Sequence, residues 1–181
     1  MKKTISVKQT VTIAIGAAVY VILSCFASIP LGPNVVLETS SPFLAFISVL
    51  FGPIVGFYVG FLGHIIKDFL LFGNVYFNWV IFSGILGFLY GLTQKTINLK
   101  YQIFNRKKIF AFWLYQAFVN FLLFGFIAPI SDLWIYAQPK ELVFLQGFLV
   151  AISNVISYSF FGVLLMFKYS NNYAKKETLS S

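Results

Sequence analysis

The chain has 181 residues, of which 59% are hydrophobic and only 10% are charged, and its net charge is +8. Soluble domains carry about 25% charged residues, so this composition excludes an ordinary water-soluble domain and indicates a protein embedded in lipid. The cations lie near the two termini and in one short connection, with long uncharged runs between them. This spacing is typical of topology signals beside membrane spans and argues against a nucleic-acid-binding patch, which would line one face of a domain.

The first predicted span is about Val11–Ala27, and the segment Ile29–Glu38 that follows is predicted to be a loop because prolines and a glycine interrupt it. A lipoprotein signal peptide ending at Cys25 is an alternative for the start of the chain. The residues just before Cys25 fit such a site poorly, so we interpret the cysteine as a small packing residue.

The uncharged run from Thr39 to Ile66 is too long for one span, and Phe51-Gly52-Pro53 interrupts it. Because proline stops or kinks a helix, we divide the run into a short second span, Pro42–Leu50, and a third span, Ile54–Phe72. A re-entrant segment is the alternative for the short second span.

The remaining elements complete a single domain over residues 1–168, with a polar tail over 169–181 that we expect to be frayed. They are span four at Tyr76–Thr93, a basic connection at Gln94–Lys108, span five at Ile109–Ala128, a polar loop at Pro129–Glu141 and span six at Leu142–Phe167.

Charge predicts the orientation of this all-α, six-span bundle. With both termini in the cytoplasm, eleven of the thirteen lysines and arginines lie on the inner side, and only Lys67 and Lys140 do not. An odd number of spans would divide the basic clusters between the two sides, against the positive-inside rule.

Small residues recur every four positions at Gly52, Gly56 and Gly60, at Gly87 and Gly91, and at Ala14 and Ala18. Such stripes let helices approach closely in lipid. We interpret the glycines as packing within the chain.

Three ionisable residues, His64, Lys67 and Asp68, lie within span three, where such groups are costly and are functional candidates. Their spacing of three and four residues places them on neighbouring helical positions. One interpretation is a structural network that joins span three to the first loop through Glu38, and another is contact with a ligand. A proton relay is a third, although one histidine and one buried acid are few groups for a relay.

Further polar and aromatic residues are predicted at a similar depth, where they would line a pocket for a solute. They are Asn34, Glu38, Asn78, Trp79, Asn120, Trp134, Asn154 and Tyr158. Each asparagine can instead join two helices, and the two tryptophans can instead be anchors at the membrane interface.

Motifs for catalysis are missing from the sequence. It has no G-x-x-x-x-G-K-[ST], G-x-S-x-G or H-E-x-x-H, and one histidine with one cysteine cannot build an ordinary zinc site. We therefore predict a protein that is not an enzyme and that needs no cofactor or metal.

The chain resembles the substrate-binding S components of energy-coupling factor (ECF) transporters, and more closely an uncharacterised family grouped with the riboflavin-type S components. The resemblance lies in the first half of the chain, in Ala14–Ala18, Phe26–Pro30, Phe51–Pro53, Gly60–His64 with Lys67-Asp68, and Asn78–Val80.

This resemblance implies a six-helix solute-capture subunit of the cell membrane that binds a vitamin-like molecule, with riboflavin or a thiamine-precursor pyrimidine as the leading candidates. It also implies partners, namely a transmembrane T component that docks on Ala14 and Ala18 and two ATPase subunits. A self-sufficient secondary carrier or channel is the alternative, although we find no internal repeat of the kind common in carriers.

Overall fold

The computed structural model describes residues 5–32 and 35–180, which form a helical bundle with one small hairpin. The elements are α1 Val7–Phe26, β1 Ile29–Gly32, β2 Val35–Leu37, α2 Ser40–Phe51, α3 Pro53–Phe72, α4 Phe77–Leu92, α5 Gln94–Ile97, α6 Arg106–Asn120, α7 Ala128–Tyr136, α8 Lys140–Ser157 and α9 Val163–Ser180. A π-helical segment, Phe121–Ile127, joins α6 to α7, and another, Tyr158–Gly162, joins α8 to α9.

Within the described residues, five helical stretches are long and apolar enough to cross a membrane. They are Val7–Phe26, Pro53–Phe72, Phe77–Ile97, Arg106–Tyr136 and Lys140–Tyr173. The sixth apolar helix, α2, has 12 residues, which at 1.5 Å per residue is about 18 Å and less than the hydrocarbon thickness. The predicted six-helix, all-α class is confirmed, and α2 is the short member that the sequence predicted.

The break between α2 and α3 lies where the sequence places it. Gly52 has φ of 96°, a conformation open to glycine but strained for other residues, and Pro53 begins the next helix. Proline suits this first helical position because its missing N–H would have no intrahelical partner there.

The segment Ile29–Glu38 is not only a loop, as the sequence suggested. Residues Ile29–Gly32 and Val35–Leu37 pair as an antiparallel hairpin, with Ile29 opposite Leu37. The β-branched residues at 35 and 36 favour extended backbone, and this preference outweighs the prolines and glycine that predicted a loop.

The predicted loop at Pro129–Glu141 is also wrong in its first half, because α7 extends from Ala128 to Tyr136. Pro129 falls just after the π-helical segment, and its ring packs against Gly147 of α8. A proline at the start of a helix leaves few backbone groups unpaired, and the surrounding helices favour keeping the segment helical.

The polar tail differs from the expected frayed segment as well, since α9 continues to Ser180. Ser170 lies within α9, and its hydroxyl accepts a hydrogen bond of 3.1 Å from the backbone N–H of Phe104. The last helix is therefore joined to the basic connection.

The most extensive helix packing is between α3 and α4, and glycines make it possible. A Cβ atom on Gly87 would fall on the backbone carbonyl of Gly56, and one on Gly60 would fall on the backbone of Ser83. The interpretation of these glycines as intrachain packing is confirmed.

The bundle has two distinct ends. At one end, the amide of Gln94 donates to the carbonyl of Leu50 and the ammonium of Lys100 lies 5.2 Å from the ring centre of Phe51. The basic connection, the α2–α3 break and Ser170 are therefore close together. The hairpin and the connections at 73–76 and 137–139 lie at the opposite end, where the bundle encloses a cavity.

Candidate functional site

The cavity has a volume of about 660 Å³, within the range of small-molecule sites. It is lined by the second half of α1, the start of α2, the second half of α3, the first part of α4, the α7 region and one face of α8 from Leu142 to Asn154. Six elements that are far apart in the sequence thus contribute to one site at the hairpin end of the bundle.

An ion pair lies in the wall beside the hairpin. The ammonium of Lys67 is 3.1 Å from Oε1 of Glu38, and the hydroxyl of Ser40 donates to Oε2 at 2.7 Å. Burial opposes ionisation of the Glu38 carboxyl, but the nearby ammonium and hydroxyl outweigh it and hold its pKa below the ordinary value of 4.5. The contact between span three and Glu38 that the sequence suggested is present.

His64 is held between two polar partners. Its Nε2 lies 3.2 Å from Oδ1 of Asp68, and its Nδ1 lies 2.5 Å from the hydroxyl of Ser83 on α4. The other oxygen of Asp68 accepts the backbone N–H of Tyr76 at 3.2 Å. This chain of contacts orients His64 and Asp68 at the cavity wall, one helical turn apart.

A third carboxylate, Asp132 of α7, also lines the cavity, beside the start of α4. It accepts hydrogen bonds from the amide of Asn78 at 2.7 Å and from the indole N–H of Trp79, at 2.9 Å to one oxygen and 3.1 Å to the other. The Trp79 ring also stacks on Phe124, with ring centres 5.6 Å apart. Trp79 is therefore fixed both by its polar edge and by its face.

A second polar network begins at the cavity and runs into the core. Asn154 lines the cavity and donates to Asn120 at 2.9 Å, and Asn120 in turn donates to the hydroxyl of Tyr90 at 2.6 Å. Asn120 is fully buried, and Gln116 lies within 3.3 Å of its amide. This network joins α4, α6 and α8, as expected of asparagines between helices.

The predicted pocket residues divide into three groups. Glu38, His64, Lys67, Asp68, Trp79 and Asn154 line the cavity. Asn78 and Asn120 lie behind it and contact lining residues.

The other predicted pocket residues lie elsewhere. Trp134 is 86% exposed on the outside of α7, which fits the alternative of an interface anchor, and Tyr158 is packed in the core against Phe112. Neither residue lines the cavity. Asn34 lies outside the described residues.

Several lining residues lie outside the set of pocket residues predicted from the sequence, and Asp132 and Ser83 matter most among them. The prediction of a loop at Pro129–Glu141 places Asp132 outside the helices, whereas in the structure it lies in α7. An aspartate followed by two aromatic residues within four positions, Trp134 and Tyr136, is a signal in the sequence for such a residue. Ser83 carries no such signal, since serines are common between membrane helices.

The two alanines predicted as a docking stripe lie on the outer face of α1. Ala14 and Ala18 are exposed, whereas Gly16 and Ala17 are buried against the bundle. The stripe therefore takes no part in packing within the described chain.

The membrane-embedded bundle encloses a cavity with aromatic walls and a few fixed polar groups. These features define the class of solute-binding membrane proteins. Comparison with known proteins specifies the family. A family model described as "ECF-type riboflavin transporter, S component" matches residues 4–172.

Proteins of similar sequence align with nearly the whole of this chain. A UPF0397 protein of Phytoplasma australiense is 72% identical and aligns with 100% of this chain and 94% of its own length. A UPF0397 protein of Enterococcus faecalis is 43% identical over 99% of both chains, and one of Lactobacillus acidophilus is 44% identical over 97% of this chain and 95% of its own length.

The fold matches a solved structure as well. The crystal structure of FolT bound with folic acid superposes with a TM-score of 0.64, at 16% identity, over 92% of this chain and 95% of that chain. At this identity the likeness concerns the fold alone. The chain belongs to the family of ECF transporter S components. It is thus a multi-pass membrane protein and a substrate-binding transporter subunit, not an enzyme.

Proposed function

We propose that this protein captures a vitamin-like solute from the outer face of the cell membrane and delivers it to a T component that works with two ATPase subunits. The observation that carries the proposal is the 660 Å³ cavity with three carboxylates, one ammonium and aromatic walls. Such a site is large enough for a vitamin and polar enough to hold one orientation.

The cavity faces outward in this proposal because charge determines the orientation. It lies at the opposite end of the bundle from the basic connection, which contains five of the lysines and arginines. The positive-inside rule places that connection in the cytoplasm, together with both termini.

The ligand contacts come from the walls described above. Trp79 and Phe124 offer a flat aromatic surface, and Asn154 offers an amide at the cavity floor. The Lys67 ammonium has three N–H groups and gives one hydrogen bond to Glu38, so it has further donors for a carbonyl or anionic group of the ligand. Riboflavin, from the family description, and a thiamine-precursor pyrimidine are the two candidate ligands.

The outer face of α1 is the proposed docking surface for the T component. Ala14 and Ala18 present small side chains there, which permit close approach of a partner helix in lipid. The energy for transport would come from the ATPase subunits, since the sequence has no P-loop.

Reconstitution tests this function. The purified chain in detergent is first analysed by mass spectrometry for a co-purified solute, and that solute is then offered to liposomes that contain the chain alone or the chain with the T component and both ATPases. We expect binding by the chain alone and ATP-dependent accumulation only with all partners. Accumulation by the chain alone under an ion gradient would instead support the secondary carrier.

A further inference from the structure

The cavity holds more negative than positive charge. Its described lining includes the carboxylates of Glu38, Asp68 and Asp132 but only one ammonium, that of Lys67. Lys67 is paired with Glu38, and Asp68 is bonded to His64 and to a backbone N–H. The described part of the chain therefore gives Asp132 no cationic partner.

Asp132 is nevertheless buried, with 6% of its surface exposed, and its donors, Asn78 and Trp79, are neutral. A buried carboxylate without an opposite charge is costly in a low-dielectric site. A positive charge on the ligand would remove that cost when the ligand binds, so binding would depend strongly on the sign of the ligand charge.

Aromatic rings surround this carboxylate. Trp79 stacks on Phe124, and Tyr76 contacts Tyr136 edge to face with ring centres 5.8 Å apart. All four residues line the cavity together with Asp132. Aromatic faces attract cations through their quadrupole, and this attraction is strongest in desolvated sites.

Two buried polar atoms at the site have no hydrogen-bond partner among the described residues. One is Oδ1 of Asn78, whose amide nitrogen is held by Asp132, and the other is the hydroxyl of Ser24, which lines the cavity and is 2% exposed as a residue. Because Asp132 can only accept, the nitrogen of Asn78 must face it, and this orientation leaves Oδ1 as an acceptor beside the carboxylate. Buried polar atoms are normally paired, and the Ser24 hydroxyl, which lines the cavity, can bond a polar group of a ligand.

We infer that the solute carries a positively charged nitrogen group with N–H donors, such as a protonated amine, amidine or aminopyrimidine, that lies against Asp132 between these aromatic rings. This inference rests on the proposed capture function and selects among its ligands. It favours a cationic nitrogen heterocycle over neutral riboflavin and over an anionic vitamin such as folate.

The test identifies the solute that the purified protein retains and measures how the loss of one negative charge changes its binding. The wild-type protein, Asp132→Asn and Glu141→Gln are purified in detergent, and mass spectrometry identifies and quantifies the co-purified solute. Glu141 is exposed in the first turn of α8 and does not line the cavity, so E141Q is a matched control for loss of one carboxylate. Thiamine, riboflavin and folate are also tested as added probes by calorimetry and thermal unfolding.

We expect the wild-type protein and E141Q to retain a solute with a cationic nitrogen and to be stabilised by thiamine but not by riboflavin or folate. D132N should weaken that binding about tenfold or more, because a charge-assisted hydrogen bond is lost. If D132N fails to fold, the wild-type solute and the wild-type probe series decide the question.

A neutral or anionic solute on the wild-type protein, or stabilisation by riboflavin or folate, would overturn the cationic inference and leave the capture function supported. An unchanged affinity in folded D132N would overturn it as well. A wild-type protein that retains no solute and responds to no probe would contradict the capture function itself.

Discussion

Glu38 and Lys67 form the contact that joins the hairpin region to the membrane-spanning α3. The ammonium and carboxylate lie 3.1 Å apart, with side chains only 9% and 17% exposed. The carbonyl of Glu38 also accepts the Ser157 hydroxyl at 2.5 Å, so this one residue links α3 and α8. The pair thus forms the part of the cavity wall that lies beside the hairpin.

Removing only the lysine should destabilise the protein strongly. Lys67→Met leaves the buried Glu38 carboxylate without its ammonium, and we expect the free energy of unfolding to fall by about 3 kcal/mol. Unfolding in mixed detergent micelles measures this value.

The double variant Glu38→Gln with Lys67→Met is the control, because it removes both charges together. It should recover much of the stability, since an apolar or neutral replacement of a buried pair is often tolerated. Equal stability of the single and double variants would show that the ion pair contributes nothing at this site.

At the scale of single residues, the sequence predicts contacts between residues of one helix. It does not predict contacts between residues of helices that are far apart in the sequence. The spacing of His64 and Asp68 predicts their contact, and the structure shows it at 3.2 Å. The contact between Trp79 and Asp132 spans 53 positions and depends on Pro129 lying inside a helical stretch. No local pattern carries that information, because proline is a helix breaker in most settings.

At the scale of elements, the α3–α4 interface depends on the absence of side chains. Gly56 and Gly87 bring their backbones into direct contact, and Gly91 packs on Pro53 in the same interface. Lipid is as apolar as the side chains, so close van der Waals packing must supply the association that hydrophobic burial supplies in water.

A single methyl group should therefore disturb this interface. Gly87→Ala places a Cβ on the carbonyl of Gly56, and we expect a loss of about 1–3 kcal/mol in the free energy of unfolding. Thermal unfolding of the purified protein detects this change.

Gly125→Ala is the matched control, because a Cβ there meets only the Phe121 ring at an ordinary 3.4 Å. We expect a change of less than about 1 kcal/mol for this variant. If the two variants lose equal stability, the backbone contact between α3 and α4 is not what holds the interface.

The element boundaries show which physical signals are reliable in a membrane chain. The break at Gly52-Pro53 is predictable because two residues with unusual backbone requirements coincide there. The helical α7 is not predictable from the sequence, because it contains a proline and is fixed by packing against the helices around it. Contacts such as Pro129 on Gly147 emerge only when the helices are assembled.

At the scale of the whole molecule, the proposed mechanism separates binding from docking. The cavity lies inside the bundle at one end, and the Ala14–Ala18 stripe lies on the outer face of α1. Side chains from α1 reach the cavity only from Tyr20 onward.

This separation predicts that docking can be blocked without loss of binding. Ala14→Trp or Ala18→Trp should abolish uptake by the complete complex because the bulky ring prevents close approach of the partner helix. Solute binding by the purified variant should stay within about twofold of wild type, since neither position lines the cavity. Uptake at the wild-type rate would show that the partner docks elsewhere.

The most direct test of the account uses the native cysteine, because Cys25 lines the cavity and is partly accessible. Intact cells are treated with a membrane-impermeant maleimide, and labelling is compared for the wild type, Cys25→Ser, and Lys107→Cys made in the Cys25→Ser background. The account predicts that Cys25 is labelled in intact cells and is protected by the co-purified solute, whereas Lys107→Cys, in the exposed basic end, is labelled only after the cells are opened. Labelling of Lys107→Cys in intact cells, with Cys25 reached only after opening, would place the cavity on the cytoplasmic side and contradict capture from outside.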